Sequence, residues 1–224
     1  MSTSRDPAPT RPYHHGDLRS ALVTEALEMI REGGTAALSL REATRRAGVT
    51  PGAAYRHFRG RDDLLAAASR AIQEQMTARM RTAVPPRPAG EVSVAEDAAA
   101  RALDRLRGVG LGYIGFARAE PGWFETVFFG APGVGAETGA GEGAGEERDH
   151  EVAPPFLALL AALDECRDTG VLTAERREGA EFVCWSAVHG FAELVIHGPL
   201  RDAPAEVVDA LSVRVVDDII AGVR

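Results

Sequence analysis

Apolar residues recur at intervals of three and four along most of the chain, a spacing that places them on one face of a helix. Leu18, Leu22, Ala26, Met29 and Ile30 form one such stripe, and Leu65, Ala68, Ile72, Met76 and Met80 form another. Phe182, Trp185, His189, Ala192 and Ile196, then Val208, Leu211, Val215 and Ile219, continue the pattern further on. No stretch bounded by turns alternates apolar and polar residues long enough to require a strand. The expected fold is all-α. Breakers divide it at Val84-Pro85-Pro86-Arg87-Pro88-Ala89-Gly90, at 130–151 and at Gly198-Pro199 to Pro204. Residues 130–151 hold seven glycines and six carboxylates against Arg148, so a mobile acidic loop is expected there.

The charge balance excludes less than its total suggests. The formal net charge is −8, with no lysine anywhere in the 224 residues. Residues 1–82 carry 13 arginines against 9 carboxylates, and residues 83–224 carry 12 against 24. A small basic head on an acidic body follows, and the body would be repelled by a polyanion that the head attracts. Cys166 and Cys184 lie 18 residues apart with no C-x-x-C pair, which argues against a disulfide framework or a zinc site. The longest apolar run, 152–163, spans 12 residues and contains two prolines, whereas about 18 are needed to cross a bilayer. The first 16 residues lack the apolar core of a secretory signal. A cytoplasmic chain with no membrane partner is expected.

The sharpest local signal lies in residues 39–58. Ser39-Leu40-Arg41-Glu42 reads as a capping box, with Ser39 accepting the Glu42 amide and Glu42 reaching back to the Ser39 amide. The helix it opens should run from Leu40 to about Arg46 and stop at Gly48, a residue suited to the left-handed conformation. Thr50 is a cap and Pro51 fits the first position of a second helix of about seven residues, ending near Phe58. Two short helices joined by a tight glycine turn form a helix-turn-helix. Thr50, Pro51, Gly52, Ala53 and Ala54 are small enough for the backbone to approach another surface closely. Tyr55, Arg56 and His57 then supply groups that bond phosphates or base edges, the role of a second helix in a major groove. Arg41, Arg45, Arg46, Arg59 and Arg61 flank them within reach of phosphates.

These residues carry a resemblance. Ser39-Leu40-Arg41-Glu42-Ala43, Ala47-Gly48-Val49-Thr50-Pro51-Gly52-Ala53-Ala54-Tyr55-Arg56-His57-Phe58 and Asp62-Asp63-Leu64-Leu65 strongly resemble the DNA-binding head of TetR-type transcriptional regulators. With a first helix from Asp17 to Gly33, the resemblance covers about 17–70. It implies a three-helix head over 17–77, preceded by a flexible basic arm over 1–16. A long fourth helix, here about Arg61 to Ala83, would lead to a ligand-binding and dimerisation body over 90–224. It further implies homodimers on palindromic operators, with Thr50, Gly52, Tyr55, Arg56 and His57 facing DNA. Ser39, Arg41, Pro51, Ala53 and Arg61 complete the expected DNA-binding set. His14 and His15 are expected to be solvated or to follow the DNA backbone with Arg5 and Arg11, not to hold a metal.

The body shows no nucleotide-binding loop, no H-E-x-x-H and no G-x-S-x-G, so no enzyme chemistry, cofactor or catalytic residue is expected. Gly108, Gly110 and Gly112 stand in helical context without a preceding strand. An apolar or aromatic effector would find Tyr113, Phe116, Trp123, Phe128, Trp185 and His189 as candidate contacts. Residues 185–190 resemble the Trp-His-Gly signature of one C-terminal subclass of these regulators. His189 reads as a core, interface or ligand residue whose tautomer Glu193 could set. Helices expected over about 173–197 and 204–223 are apolar on more than one face, which implies pairing with a second subunit. Cys184 then reads as a small buried hydrophobe. The expected function is a ligand-responsive repressor. The alternatives are an activator, a ligand-independent regulator, or a helical carrier or enzyme.

Overall fold

A computed structural model describes residues 15–83, 94–129 and 152–224. Of the arm expected over 1–16, residues 1–14 with His14 lie outside the described residues, as do the breaker cluster 84–90 and the acidic segment 130–151, whereas His15 and Gly16 open α1. Ten helices and no strand occur among the described residues, in the order α1 (His15–Ala37), α2 (Leu40–Arg46), α3 (Pro51–Ala54), α4 (Arg61–Thr82) and α5 (Val94–Ala119), then α6 (Pro121–Phe129), α7 (Pro154–Asp168), α8 (Ala174–Arg177), α9 (Ala180–Ile196) and α10 (Ala205–Val223). No helix among them is long and apolar enough to cross a membrane.

The first three helices pack their predicted stripes together. Leu22, Ala26 and Ile30 of α1, Leu40 and Ala43 of α2, and Ala54 of α3 are buried against Leu64, Leu65 and Ala68 of α4. Helix α1 runs past its expected end, but the backbone departs from helical angles at Gly33 and Gly34, where φ reaches 65°. Ser39 caps α2 as expected, its Oγ accepting the Glu42 amide at 3.4 Å. The reciprocal half of the capping box is replaced, because the Glu42 carboxylate accepts from Arg45 and Arg46 instead. Gly48 takes φ 68°, with its own amide bonded to Arg45 O and the Val49 amide to Thr44 O. That pair of bonds is the Schellman closure. Thr44 is buried, and its hydroxyl donates to Arg41 O at 2.6 Å.

Helix α3 is shorter than the seven residues expected. Regular helix ends at Ala54, and the Arg56 and His57 amides bond three residues back, to Ala53 and Ala54. This tighter turn carries the chain into Phe58, which is buried.

Helix α4 belongs to both halves of the molecule. Its first turns close the head, while Met76 and Met80 enter the core shared with α5, α7, α9 and α10. Helix α5 is the body's central rod, packed against α4, α6, α7, α9 and α10. Gly112 allows the α4–α5 crossing: a Cβ there would lie 2.5 Å from Met80 Cα and 2.9 Å from Arg79 O. Gly110 similarly faces Val216 of α10. Surface ion pairs cross between helices as well, joining Arg105 to Glu165, Arg107 to Asp217 and Arg118 to Asp209.

The single helix expected over 173–197 is two. Gly179, at φ 73°, interrupts it and lets the chain turn from α8 into α9.

Candidate nucleic-acid interface and body cavity

The four-residue α3 has a buried edge and an open one. Ala54 and Phe58 face the core, Ala53 and His57 are half-buried, and Thr50, Pro51, Gly52, Tyr55 and Arg56 are exposed. Tyr55 keeps 62% of its surface open, unusual for a large aromatic side chain, and has no partner among the described residues. Nothing lies within 4 Å of where a Gly52 Cβ would stand. The Thr50 side chain makes no capping hydrogen bond. The small residues therefore present bare backbone next to a phenol and a guanidinium.

The arginines around this edge are not equivalent. Arg45 and Arg46 both bind Glu42, and Arg46 also binds Glu32 through two bonds of 2.9 and 3.2 Å. Hydrogen bonds from Arg45 and Arg46 hold the Glu42 carboxyl down at about 2, so it stays charged across the physiological range. Arg61, expected at a phosphate, donates to Leu38 O at 3.2 Å and Thr35 O at 2.6 Å. It staples the loop between α1 and α2. Arg41 and Arg56 are exposed and have no ion-pair partner among the described residues, and Arg59 is only loosely paired with Asp63, at 3.9 Å. The available positive charge thus narrows from five flanking arginines to Arg41 and Arg59, beside Arg56 on α3 itself. Ser39, also expected at DNA, is half-buried, and its hydroxyl accepts the Glu42 amide of α2.

The head meets the body at a polar joint that sequence spacing did not reveal. Arg31 of α1 binds Glu120 through two bonds, binds Glu28 through a third, and stacks 4.1 Å over the Trp123 ring. The Trp123 indole N–H donates to Leu27 O at 2.8 Å. A Cβ at Gly122 would lie 3.1 Å from Ile30 O, so the start of α6 sits directly on α1. Trp123, and Phe116 whose ring is 6.4 Å away, therefore stand at the joint and not with the other expected effector contacts.

The remaining four come together. Tyr113 packs against Trp185 and Phe128, at ring distances of 5.1 and 6.2 Å, and Phe128 lies 5.0 Å from His189. Phe124, which was not among the candidates, packs against Tyr113, Phe128 and His189, at ring distances of 5.6, 4.7 and 5.5 Å. The Tyr113 hydroxyl and His189 Nδ1 are 2.8 Å apart. Burial raises the Tyr113 phenol well above its ordinary range, helped by Glu193. Burial lowers His189 against an opposing push from Glu193. Both are neutral at physiological pH, and the hydroxyl, not Glu193, fixes the imidazole. The Glu193 carboxylate turns to His197 Nδ1, at 2.9 Å.

Beneath Tyr113 and Trp185 lies an apolar cavity of about 20 Å³, with Met80, Gly110, Cys184 and Val188 among its walls. It has room for about one water-sized body. A larger, open cleft of about 780 Å³ runs between α4, α5 and α7, past Arg81, Arg105, Leu157 and Glu165. Burial pushes the Cys166 and Cys184 thiols up to about 11, so both stay protonated. No group of three metal-ligating side chains occurs among the described residues. On the outer faces of α9 and α10, Phe182, Val183, Leu194, Val207 and Leu211 are exposed. A Cβ at Gly190, on the same side of α9, would meet nothing within 4 Å.

Comparison with known proteins gives two family matches. Residues 22–68 match the family model described as bacterial regulatory proteins, tetR family, and residues 106–219 match the tetracyclin repressor-like C-terminal domain. No curated protein matches the chain. Among solved structures, a protein with unknown function from Rhodococcus sp. RHA1 is 25% identical, with a TM-score of 0.63 over 95% of this chain and 98% of that one. A TetR variant from Acinetobacter baumannii AYE in complex with minocycline is 18% identical, with a TM-score of 0.54 over 91% and 94% of the two chains. A tetR-family transcriptional regulator from Streptomyces coelicolor is 19% identical, with a TM-score of 0.53 over 92% and 80%. With one family model spanning its DNA-binding head and a second spanning half of the whole chain, this protein belongs to the TetR family of transcriptional regulators.

Proposed function

We propose that the protein is a ligand-responsive repressor that binds a palindromic operator as a homodimer. The head over 17–77 reads DNA, and the body over 90–224 dimerises and takes the effector. The observation that carries this reading is the outer edge of α3, where Tyr55, Arg56 and the bare backbone at Gly52 stand open beside the uncommitted Arg41. Tyr55, Arg56, His57 and Thr50 supply the base-edge and phosphate contacts, while Pro51, Gly52 and Ala53 permit close approach. Arg41 and Arg59 bind phosphates, and Ser39 and Arg61 hold the frame that aims them. Retention on immobilised duplex DNA tests the reading, because each neutralised phosphate contributes about 0.9 to the slope of log affinity against log salt. A steep slope supports the reading, and a flat one contradicts it.

The exposed apolar faces of α9 and α10 support a dimer, since Val183 and Leu194 would otherwise remain in water beside the open helix surface at Gly190. Val183→Glu combined with Leu194→Glu should yield a monomer in sedimentation. Loss of the second half-site contact should weaken operator binding by about 100-fold or more.

Effector response fits the body's aromatic group. A small apolar or aromatic molecule larger than the 20 Å³ cavity must displace Tyr113, Phe128, Trp185 or His189 to enter. Phe124 and Phe128 lie on α6, which also carries Trp123 at the head joint and directly follows Glu120. Displacement of α6 would therefore pull on α1. Release of the operator then requires only that the effector bind the displaced state more tightly than the closed one.

A further inference from the structure

Helix α6 is gripped from its other side by a second polar contact, which the reading above does not use. His197 ends α9 as its C-cap residue. Its Nδ1 lies 2.9 Å from Glu193 Oε2, and its Nε2 lies 2.8 Å from Glu125 Oε1 of α6. A neutral imidazole has a single N–H, so only one of these contacts would be a hydrogen bond and the other would set a lone pair against a carboxylate. Both bonds exist together only in the imidazolium.

The surroundings favour that form. The last carbonyls of α9 place partial negative charge at its C-terminus. Glu125 from α6 and Glu193 from α9 are the charged groups that act on His197, and both raise its pKa from the ordinary 6.5. The second Glu193 oxygen, Oε1, is buried without a hydrogen-bond partner, so loss of the proton leaves this carboxylate without its counter-ion. Glu193 also acts on Tyr113 and His189, the neutral pair inside the aromatic group. The His197 and Gly198 amides both bond Glu193 O, at 2.9 and 3.0 Å, which closes the end of α9 around this ring.

We propose that His197, bridging Glu125 of α6 and Glu193 of α9, is a proton-operated latch that makes the regulator's DNA affinity depend on pH. With the latch closed, α6 is fixed to the body at Glu125 while its Trp123 and the preceding Glu120 fix it to α1, so the head follows the body. With His197 neutral, one bond becomes repulsive and α6 gains freedom at its body end. Because the closed latch prefers the charged ring, its contribution is full below the ordinary histidine range. It fades as pH rises through the elevated value. The readout in DNA affinity rests on the regulator function proposed above, whereas the titration of the ring does not.

Two measurements on the full-length protein test the latch. Ring-proton NMR should give His197 a midpoint above the ordinary 6.5, falling back toward it in Glu125→Gln. A midpoint at or below 6.5 in the wild type overturns the proposal. Affinity for a duplex recovered by selection with the wild-type protein is then followed from pH 6 to pH 8. His57 lies in the proposed reading surface, so the deciding quantity is the difference between wild type and His197→Gln. The two pH profiles should diverge by about threefold or more, and superimposable profiles overturn the latch. If no duplex is retained at any pH, the regulator function fails on its own. The ring titration, with the pH dependence of the thermal midpoint in wild type and His197→Gln, then decides the latch: a midpoint difference that shrinks as pH rises supports it, and a constant one overturns it.

Discussion

Gly112→Ala should lower the stability of the folded chain by about 3 kcal/mol, the upper end of the usual overpacking penalty. The added Cβ would stand 2.5 Å from Met80 Cα and 2.9 Å from both Arg79 O and Met80 N. All three atoms are backbone, so no rotamer change relieves the contact and α4 must move away from α5. Met80 belongs to the buried core, and its displacement would also loosen packing against Leu106 and Val216. For a chain of this size the expected fall in thermal midpoint is about 6–12 °C. Gly52→Ala is the matching control, because nothing lies within 4 Å of its Cβ position. Its midpoint should stay within about 2 °C of wild type. Equal midpoints for Gly112→Ala and wild type would mean that α4 and α5 do not cross as closely as described.

Tyr55→Ala should weaken specific DNA binding by about 10- to 100-fold, from the loss of about 1–3 kcal/mol at each base-reading side chain. The phenol is largely open to solvent and has no partner among the described residues, so its removal leaves no buried group there unpaired. Thermal stability and the dimer should therefore be unchanged, which separates a reading role from a structural one. Arg56→Ala should lower affinity and reduce the salt slope together, whereas Arg46→Ala should act mainly through Glu32 and Glu42 and leave the slope nearly intact. If Tyr55→Ala binds a selected duplex as tightly as the wild type, Tyr55 has no part in recognition.

The head was legible because its signals are local. The Ser39 cap, the left-handed turn at Gly48 and the Thr50-Pro51 restart lie within 13 residues, and each acts on backbone a few positions away. The pairing of Glu42 with Arg45 and Arg46 was also within reach, since spacings of three and four bring side chains together on a helix. Reading all five flanking arginines as free for phosphate missed it. The hold of Arg61 on Thr35 and Leu38 was not legible, because it spans 26 and 23 residues. The shortness of α3 follows from the burial of Phe58, a tertiary demand that overrides local helix preference.

In the body, the stripes gave the helices but not their partners. Tyr113 and His189 meet across 76 residues, and Arg31 and Glu120 across 89. Aromatic content alone could not assign Trp123 to the head joint and Trp185 to the cavity wall. Gly179 was a visible break inside the expected 173–197 helix, yet the apolar spacing from Phe182 onward outweighed it. Gly112 stood in plain view as well, but only the crossing with α4 shows why a side chain cannot replace it.

Selection of duplexes from a randomised pool by the purified protein tests the central claim most directly. The account predicts recovered sites made of two inverted half-sites with centres about 10 base pairs apart, or a multiple of that, matching two heads on one face of the duplex. Recovery of no duplex at low ionic strength, or of sites without inverted symmetry, would contradict it.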